Sequence, residues 1–300
     1  MSDPKRLLHP EAIKRISRME LRARYVVEGF LSGMHRSPYF GQSVEFRQHR
    51  QYVSGDDLRD VDWKVWAKQD RYYIKQYEED TNLRCTLLVD LSASMEYGRG
   101  PLSKFEYAAT IASSLAYLLL RQQDAVGCVA FDDAVRRRVP LRTRQNHLSS
   151  IVAALAASSP ERKTDLYQVL RDVGESDHRR GLIVLVSDLL VERSGLMRGL
   201  ALMRQRGHDV LVFHVLDDDE LDFPFTGPTR FEGLELPEHL RCNPRALREG
   251  YMEALAAYLA EVRRGCAQHE VHYGLIRTSE PLDAALAQYL SNRLALHRRN

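Results

Sequence analysis

The sequence predicts an α/β protein: a doubly wound, mostly parallel sheet covered by helices, with a small β-containing lobe ahead of it. Three observations carry this expectation. From Cys85 onward, apolar runs of strand length alternate with segments of helical length and period, the pattern of crossover connections. The runs Cys85–Val89, Leu182–Val186 and Asp209–Val215 are apolar nearly throughout, as strands covered on both faces are. A chain of 300 residues with 44% hydrophobic and 28% charged content can also bury a large core.

The elements follow in order. Residues 1–36 carry eight basic and four acidic side chains, and Ile13, Ile16 and Leu21 give a patchy apolar side, so a solvated helix is expected from Pro10 to Gly29. Residues 37–80 form the small lobe. Val44–Phe46 and Tyr72–Tyr77 have the β-branched and aromatic content of strands, with the Gly55-Asp56-Asp57 turn and a short helix bearing Trp63 and Trp66 between them. Residues 81–300 form the α/β domain. Strand Cys85–Val89 runs into Asp90, and helix Lys104–Gln122 follows with Ala108, Ile111, Leu115, Leu118 and Leu119 on one face. Strands Ala125–Phe131 and Val135–Val139 are expected to form a hairpin around Asp132-Asp133, the one antiparallel pair. Helices 145–157 and 166–175, strand Leu182–Val186, helix 196–206 and strand Asp209–Val215 come next. After an irregular stretch come helix Pro244–Gln268, strand Val271–Ile276 and helix Pro281–His297.

Composition excludes several functional classes. With 43 Lys+Arg against 41 Asp+Glu, the net charge of +2 lacks the basic excess of a dedicated nucleic-acid binder. The longest apolar runs fall far below the roughly 18 residues of a membrane span, and the charged N-terminus does not read as a signal peptide, so a cytoplasmic protein is expected. Cys85, Cys128, Cys242 and Cys266 have no zinc-site or disulfide-scaffold spacing. Neither G-x-x-x-x-G-K-[ST] nor G-x-G-x-x-G occurs, so neither phosphate-binding loop is signalled.

Ligands of open parallel sheets bind beyond the carboxyl ends of the strands, where strand order reverses. The first domain strand ends in Asp90-Leu91-Ser92-Ala93-Ser94, a later one ends in Ser187-Asp188, and Lys163-Thr164-Asp165 precedes a helix between them. Asp90, Ser92, Ser94, Thr164 and Asp188 thus offer only carboxylate and hydroxyl oxygens, which suit a hard cation, Mg2+ or Mn2+. A cation held by few carboxylates keeps positive charge and an open position, and so recruits an outside carboxylate. The N-terminus of helix 104–122 adds a favourable dipole for that anion. The competing structural reading is that Ser92, Ser94 and Asp188 cap helices; Asp165 is expected to cap its helix and not to touch metal.

These residues resemble the metal-ion-dependent adhesion site of von Willebrand factor A domains, whose sheet is Rossmann-like. The resemblance extends to His35-Arg36-Ser37-Pro38, Gly41-x-Ser43-x-Glu45-Phe46, Tyr52-x-x-Gly55-Asp56-Asp57-x-Arg59 and Asp62-Trp63, which are similar to the segment marking the bacterial domain-of-unknown-function 58 family. Asp222–Glu235, Tyr251 and the Pro281–Arg293 end resemble its carboxyl-terminal part. The resemblance implies a von Willebrand A-like fold and a protein-binding role beside MoxR-type AAA+ ATPases, in chaperone-like or metal-insertion systems. Arg59, Asp62 and Trp63 of the small lobe, completed by residues 221–235, are then candidates for the partner surface. One departure stands out: Ser187-Asp188-Leu189 occupies the place where many A domains outside this family have Asp-Gly, and glycine permits backbone angles that leucine resists.

Two other functions stay open at this level. A haloacid-dehalogenase-type phosphatase also places an Asp after its first strand and binds Mg2+, but it needs a second Asp as acid–base where Ser92 stands. A scaffold could bind through the small lobe alone, with a vestigial metal loop. The Asp56, Asp57, Asp60, Asp62, Lys64 cluster reads as turn and ion-pair structure, and Trp63 and Trp66 as lobe core. Asp217-Asp218-Asp219-Glu220 reads as solvated loop, while His214, His272, Cys85 and Cys128 read as packed strand residues.

Overall fold

The computed structural model describes residues 19–27, 49–51, 73–75, 83–161, 163–176, 179–227, 229–233, 239–282 and 287. The chain divides into two compact units, Ser32–Asn82 and the remainder. In the smaller, β1 (His49–Gln51) pairs antiparallel with β2 (Tyr73–Lys75). Strand Val44–Phe46, the tryptophan-bearing helix and the Asp56–Lys64 cluster lie outside the described residues, as does most of helix Pro281–His297. Of the expected N-terminal helix, residues 19–27 are described and helical (α1).

The larger unit is built on a six-stranded sheet of order β10-β7-β6-β3-β4-β5. Its strands are β3 (Arg84–Asp90), β4 (Ala125–Phe131), β5 (Val135–Arg142), β6 (Leu182–Ser187), β7 (Asp209–Leu216) and β10 (His272–Arg277). All neighbours are parallel except β4 and β5, as the sequence predicts. The connecting helices are α2 (Lys104–Arg121), α3 (His147–Ala156), α4 (Leu166–Ser176), α5 (Arg193–Gln205), α6 (Asp218–Asp222) and α7 (Pro244–Gln268). The small pair β8 (Thr229–Glu232) and β9 (His239–Cys242) is antiparallel and belongs to the larger unit.

Strand alternation divides the core between the two faces. Cys85, Leu87 and Val89 of β3 pack with Ile111, Leu115 and Leu119 of α2, with Ile151 and Leu155 of α3, and with Met19 and Val27 of α1. Leu88 points the other way, into a second cluster with Val169 and Leu170 of α4, Leu200 of α5 and Val262 of α7. Burial of each such aliphatic side chain stabilises the fold by about 1.5–3 kcal/mol. Cys85, Cys128 and Cys266 are buried.

Local signals set the element ends. Ser103 and Glu106 form a reciprocal capping box at the start of α2. Asn243 caps α7, with Pro244 at its first position. Gly207, at φ 81°, ends helix α5. The edge strand β5 runs three residues beyond its predicted end. Its exposed Arg137 and Arg138, together with Pro140 and two register shifts against β4, blunt an edge open to further pairing. The stretch expected to be irregular instead forms α6, which Asp217 and Glu220 start with a second capping box, and the β8–β9 pair.

Candidate metal and partner-binding site

The chain leaves β3 toward β4 and β5, then returns to place β6 on the opposite side of β3. The reversal of strand order therefore lies between the carboxyl ends of β3 and β6, where Asp90 and Ser187 end their strands. Asp90 is completely buried. Its Oδ1 accepts from the Ser92 amide at 2.8 Å and from the Thr164 hydroxyl at 3.0 Å. Its Oδ2 accepts a short bond from the Ser187 hydroxyl. The Ser92 and Ser94 hydroxyls lie 3.0 Å apart, both buried. Asp90, Ser92, Ser94 and Thr164 thus form one hydrogen-bonded group assembled from two loops. Burial, and then the charge of Asp188, push the Asp90 carboxyl up to about 7 against the bonds from Ser187, Ser92 and Thr164.

The helix-capping alternative does not describe these side chains. Ser92 precedes the 3-10 turn Ala93–Glu96 but makes no side-chain cap bond there. Ser103 caps α2, and Glu192 caps α5 through the Ser194 and Gly195 amides. Asp165 accepts from the Gln168 amide at 3.1 Å, the bond of an N-cap.

Asp188 is also buried, and its Oδ1 accepts from the Leu190 amide at 3.2 Å. Its Oδ2 faces a side chain that sequence reasoning missed. Lys104, the first residue of α2, is 0% exposed, with its Nζ 2.8 Å from Asp188 and 2.6 Å from Glu220. Burial alone would lower the ammonium, but Asp188 and Glu220 outweigh it, and Lys104 is held above its ordinary value. A signal was present: Lys104 shares a helical stripe with Ala108, Ile111 and Leu115, an apolar face on which a lysine needs a partner.

Leu189 lies at φ 53°, in the left-handed region that favours glycine. Its amide donates to Ser187 Oγ at 2.9 Å, and the Tyr258 hydroxyl donates to its carbonyl. The Asp188 carbonyl accepts from His214 Nε2 at 2.7 Å, which assigns the ring proton to that nitrogen. Nδ1 then accepts from the Tyr273 hydroxyl at 2.8 Å. Burial lowers His214 to about 4, so the ring is neutral near pH 7.

The acidic run after β7 is not the solvated loop expected from the sequence. Asp217 and Asp219 are buried, and Asp219 accepts from the Tyr97 hydroxyl at 2.9 Å. Arg277 pairs with Asp218 and Asp222, and Glu220 with Lys104, so the run is neutralised by cations from other elements. Arg59, Asp62 and Trp63 lie outside the described residues. Among the described residues, no three or more His, Cys, Asp or Glu side chains group as a metal site, and no helix is long and apolar enough to cross a membrane.

An uncharacterized protein of Mycobacterium tuberculosis (strain ATCC 25618 / H37Rv) is 28% identical over 293 residues, covering 95% of this chain and 90% of its own length. A Mycobacterium bovis counterpart, also uncharacterized, matches equally. Among solved structures, the conserved hypothetical protein BatB from Bacteroides thetaiotaomicron is similar with a TM-score of 0.45 and 17% identity, over 70% of this chain and 98% of that one. The SpRpn10 VWA domain follows at 0.40 and 12%, over 69% and 95%. The family described as "Protein of unknown function DUF58" matches residues 48–261, more than half of the sequence, and the chain belongs to that family.

Proposed function

We propose that this protein is a non-enzymatic interaction module whose candidate site holds a divalent cation, Mg2+ or Mn2+, and through it an Asp or Glu of a partner protein. The observation that carries the reading is Asp90: a fully buried carboxylate among hydroxyl oxygens, opposed by the charge of Asp188 and without an ammonium or guanidinium partner of its own among the described residues. A buried carboxylate of this kind is neutralised either by a proton, as its raised value reflects, or by a bound cation that displaces that proton. The donor chemistry fits a hard ion, since Asp90, Ser92, Ser94 and Thr164 supply oxygen alone and the second carboxylate, Asp188, lies nearby.

Asp90 would supply the main formal charge, Ser92, Ser94 and Thr164 neutral oxygens, and Asp188 a contact made directly or through water. The ion itself would supply Lewis acidity toward an incoming carboxylate. The partner of first choice is a MoxR-type AAA+ ATPase, which the family resemblance suggests, with the protein acting as its adaptor in chaperone-like assembly. Residues 37–80, including Arg59, Asp62 and Trp63, would contribute selectivity. The phosphatase alternative has less support: its acid–base position is Ser92, a hydroxyl that does no acid–base work near neutral pH.

The test is capture of a MoxR-type AAA+ ATPase from the same organism by the full-length protein, with Mg2+ or with EDTA, and by the Asp90→Ala variant. Capture that depends on Mg2+ and on Asp90 is expected. Equal capture in all arms would remove the metal bridge and favour a scaffold acting through the small lobe.

A further inference from the structure

We infer that Lys104 is a positioning residue that sets the charge of the candidate cation site: by engaging Asp188 and Glu220 it keeps Asp188 from acting as a full anionic ligand, and it leaves a bound ion positive enough to take a partner's carboxylate. The inference deepens the proposed function and rests on it.

The geometry is specific. Lys104 is the first residue of α2, 0% exposed, and its Nζ reaches carboxylates from β6's end and from α6, 2.8 Å and 2.6 Å away. Each oxygen of Asp188 already accepts a bond, Oδ2 from Lys104 and Oδ1 from the Leu190 amide at 3.2 Å. Asp90 has no such ammonium; its partners are the Ser92 amide and the hydroxyls of Thr164 and Ser187. The buried cluster is therefore asymmetric, with one carboxylate neutralised by the chain and the other left for an external cation.

Charge arithmetic gives this asymmetry a consequence. A divalent ion shared between two free carboxylates would carry no net charge and would attract a third less strongly than an ion held by one. With Lys104 in place, the ion meets one uncompensated carboxylate and neutral hydroxyls, and keeps net positive charge. Lys104 thus lowers cation affinity and raises the attraction of the bound cation for an outside acid. Glu220 moderates the effect by sharing the ammonium, so Lys104 and Glu220 act on the ion with opposite sign.

The test is calorimetric titration of Mn2+ into the full-length protein without any partner, comparing wild type with Lys104→Met, Glu220→Gln and Asp90→Asn. Lys104→Met is expected to bind Mn2+ about tenfold more tightly, because a nearby positive charge is removed and Asp188 is freed. Glu220→Gln keeps the capping-box geometry and is expected to bind about threefold more weakly, because Lys104 is no longer shared. A purely structural role for Lys104 would not move the two variants in opposite directions. A folded Lys104→Met protein with affinity within twofold of wild type, or weaker, overturns the inference. If that variant does not fold, unchanged affinity in Glu220→Gln overturns it. Wild-type binding that requires Asp90 but ignores Lys104 and Glu220 leaves the proposed function standing and removes only this inference. No Mn2+ binding by any of the folded proteins removes both.

Discussion

The Ser187 hydroxyl bridges two strands' ends: it donates to the buried carboxylate of Asp90 on β3 while accepting, at 2.9 Å, from the amide of Leu189. One side chain thereby holds the candidate ligand and the turn that aims Asp188. Replacing Ser187 by Ala leaves an Asp90 oxygen and a buried amide each short of a partner, and is expected to cost about 1–3 kcal/mol. Urea unfolding monitored by circular dichroism measures it, and an unchanged midpoint would contradict the bridging role.

Leu189 carries two opposing terms. Its φ of 53° costs about 1–2 kcal/mol that glycine would not incur. Its side chain is wholly buried, and deleting such a leucine costs about 2–5 kcal/mol. The second term is larger, so Leu189→Gly is expected to be less stable than wild type by about 1–3 kcal/mol, despite resembling the usual Asp-Gly pattern. A higher melting temperature for the variant would show that backbone strain is the greater effect.

Lys104 is expected to matter for folding as well as for charge. Truncating one partner of a buried ion pair typically costs about 3–5 kcal/mol, because the remaining charge is left uncompensated. Lys104→Ala should fall in this range without metal, and saturating Mn2+ should restore part of the loss. Equal destabilisation with and without Mn2+ would argue that the ion and the lysine do not share a charge cluster.

Asp165 separates capping from ligation. Its bond to the Gln168 amide makes Asp165→Ala a cap deletion, expected to cost about 1 kcal/mol. Mn2+ affinity should stay unchanged, whereas Thr164→Val one residue earlier should weaken it. A fall in affinity for Asp165→Ala would move that carboxylate into the ligand set.

His147 gives the fold an acid-side weakness away from the site. It is buried at the start of α3, with Nε2 donating to the Pro140 carbonyl at 2.8 Å. Burial, and then the charge of Arg142, lower it below 6.5, while the bonds to the Pro140 and Val126 backbone oppose the shift. A lowered histidine is neutral in the fold, so as pH drops through 6.5 the unfolded chain takes up a proton that the folded chain resists, and stability declines. His147→Gln should show a shallower decline than wild type between pH 7.5 and 5.5 in urea unfolding; identical slopes would exclude His147 as a source.

Most of the sheet was legible because buried parallel strands write themselves as apolar runs: strand Ala125–Phe131 has the bounds expected from pattern alone, as does helix Pro244–Gln268 with its Asn243-Pro244 start. The grouping of Asp90, Ser92 and Ser94, the side chains proposed to hold the cation, was legible because Asp90-x-Ser92-x-Ser94 is local and its strand end is marked. The acidic run at Asp217–Asp222 misled, since charge density suggests solvent when the countercharges, Lys104 and Arg277, are distant in sequence.

By itself the sequence determined the alternation of strand and helix, the strand-end position of Asp90 and Asp188, and the capping role of Asp165, all of which depend on short-range periodicity and backbone hydrogen bonding. Only the tertiary structure decided that Lys104 meets Asp188 across 84 positions and Glu220 across 116, and that Leu189 adopts a glycine-like turn. The physical reason is that strand order sets which loop ends share a buried, low-dielectric space, and charges placed there must be balanced by whichever side chain the topology brings to them.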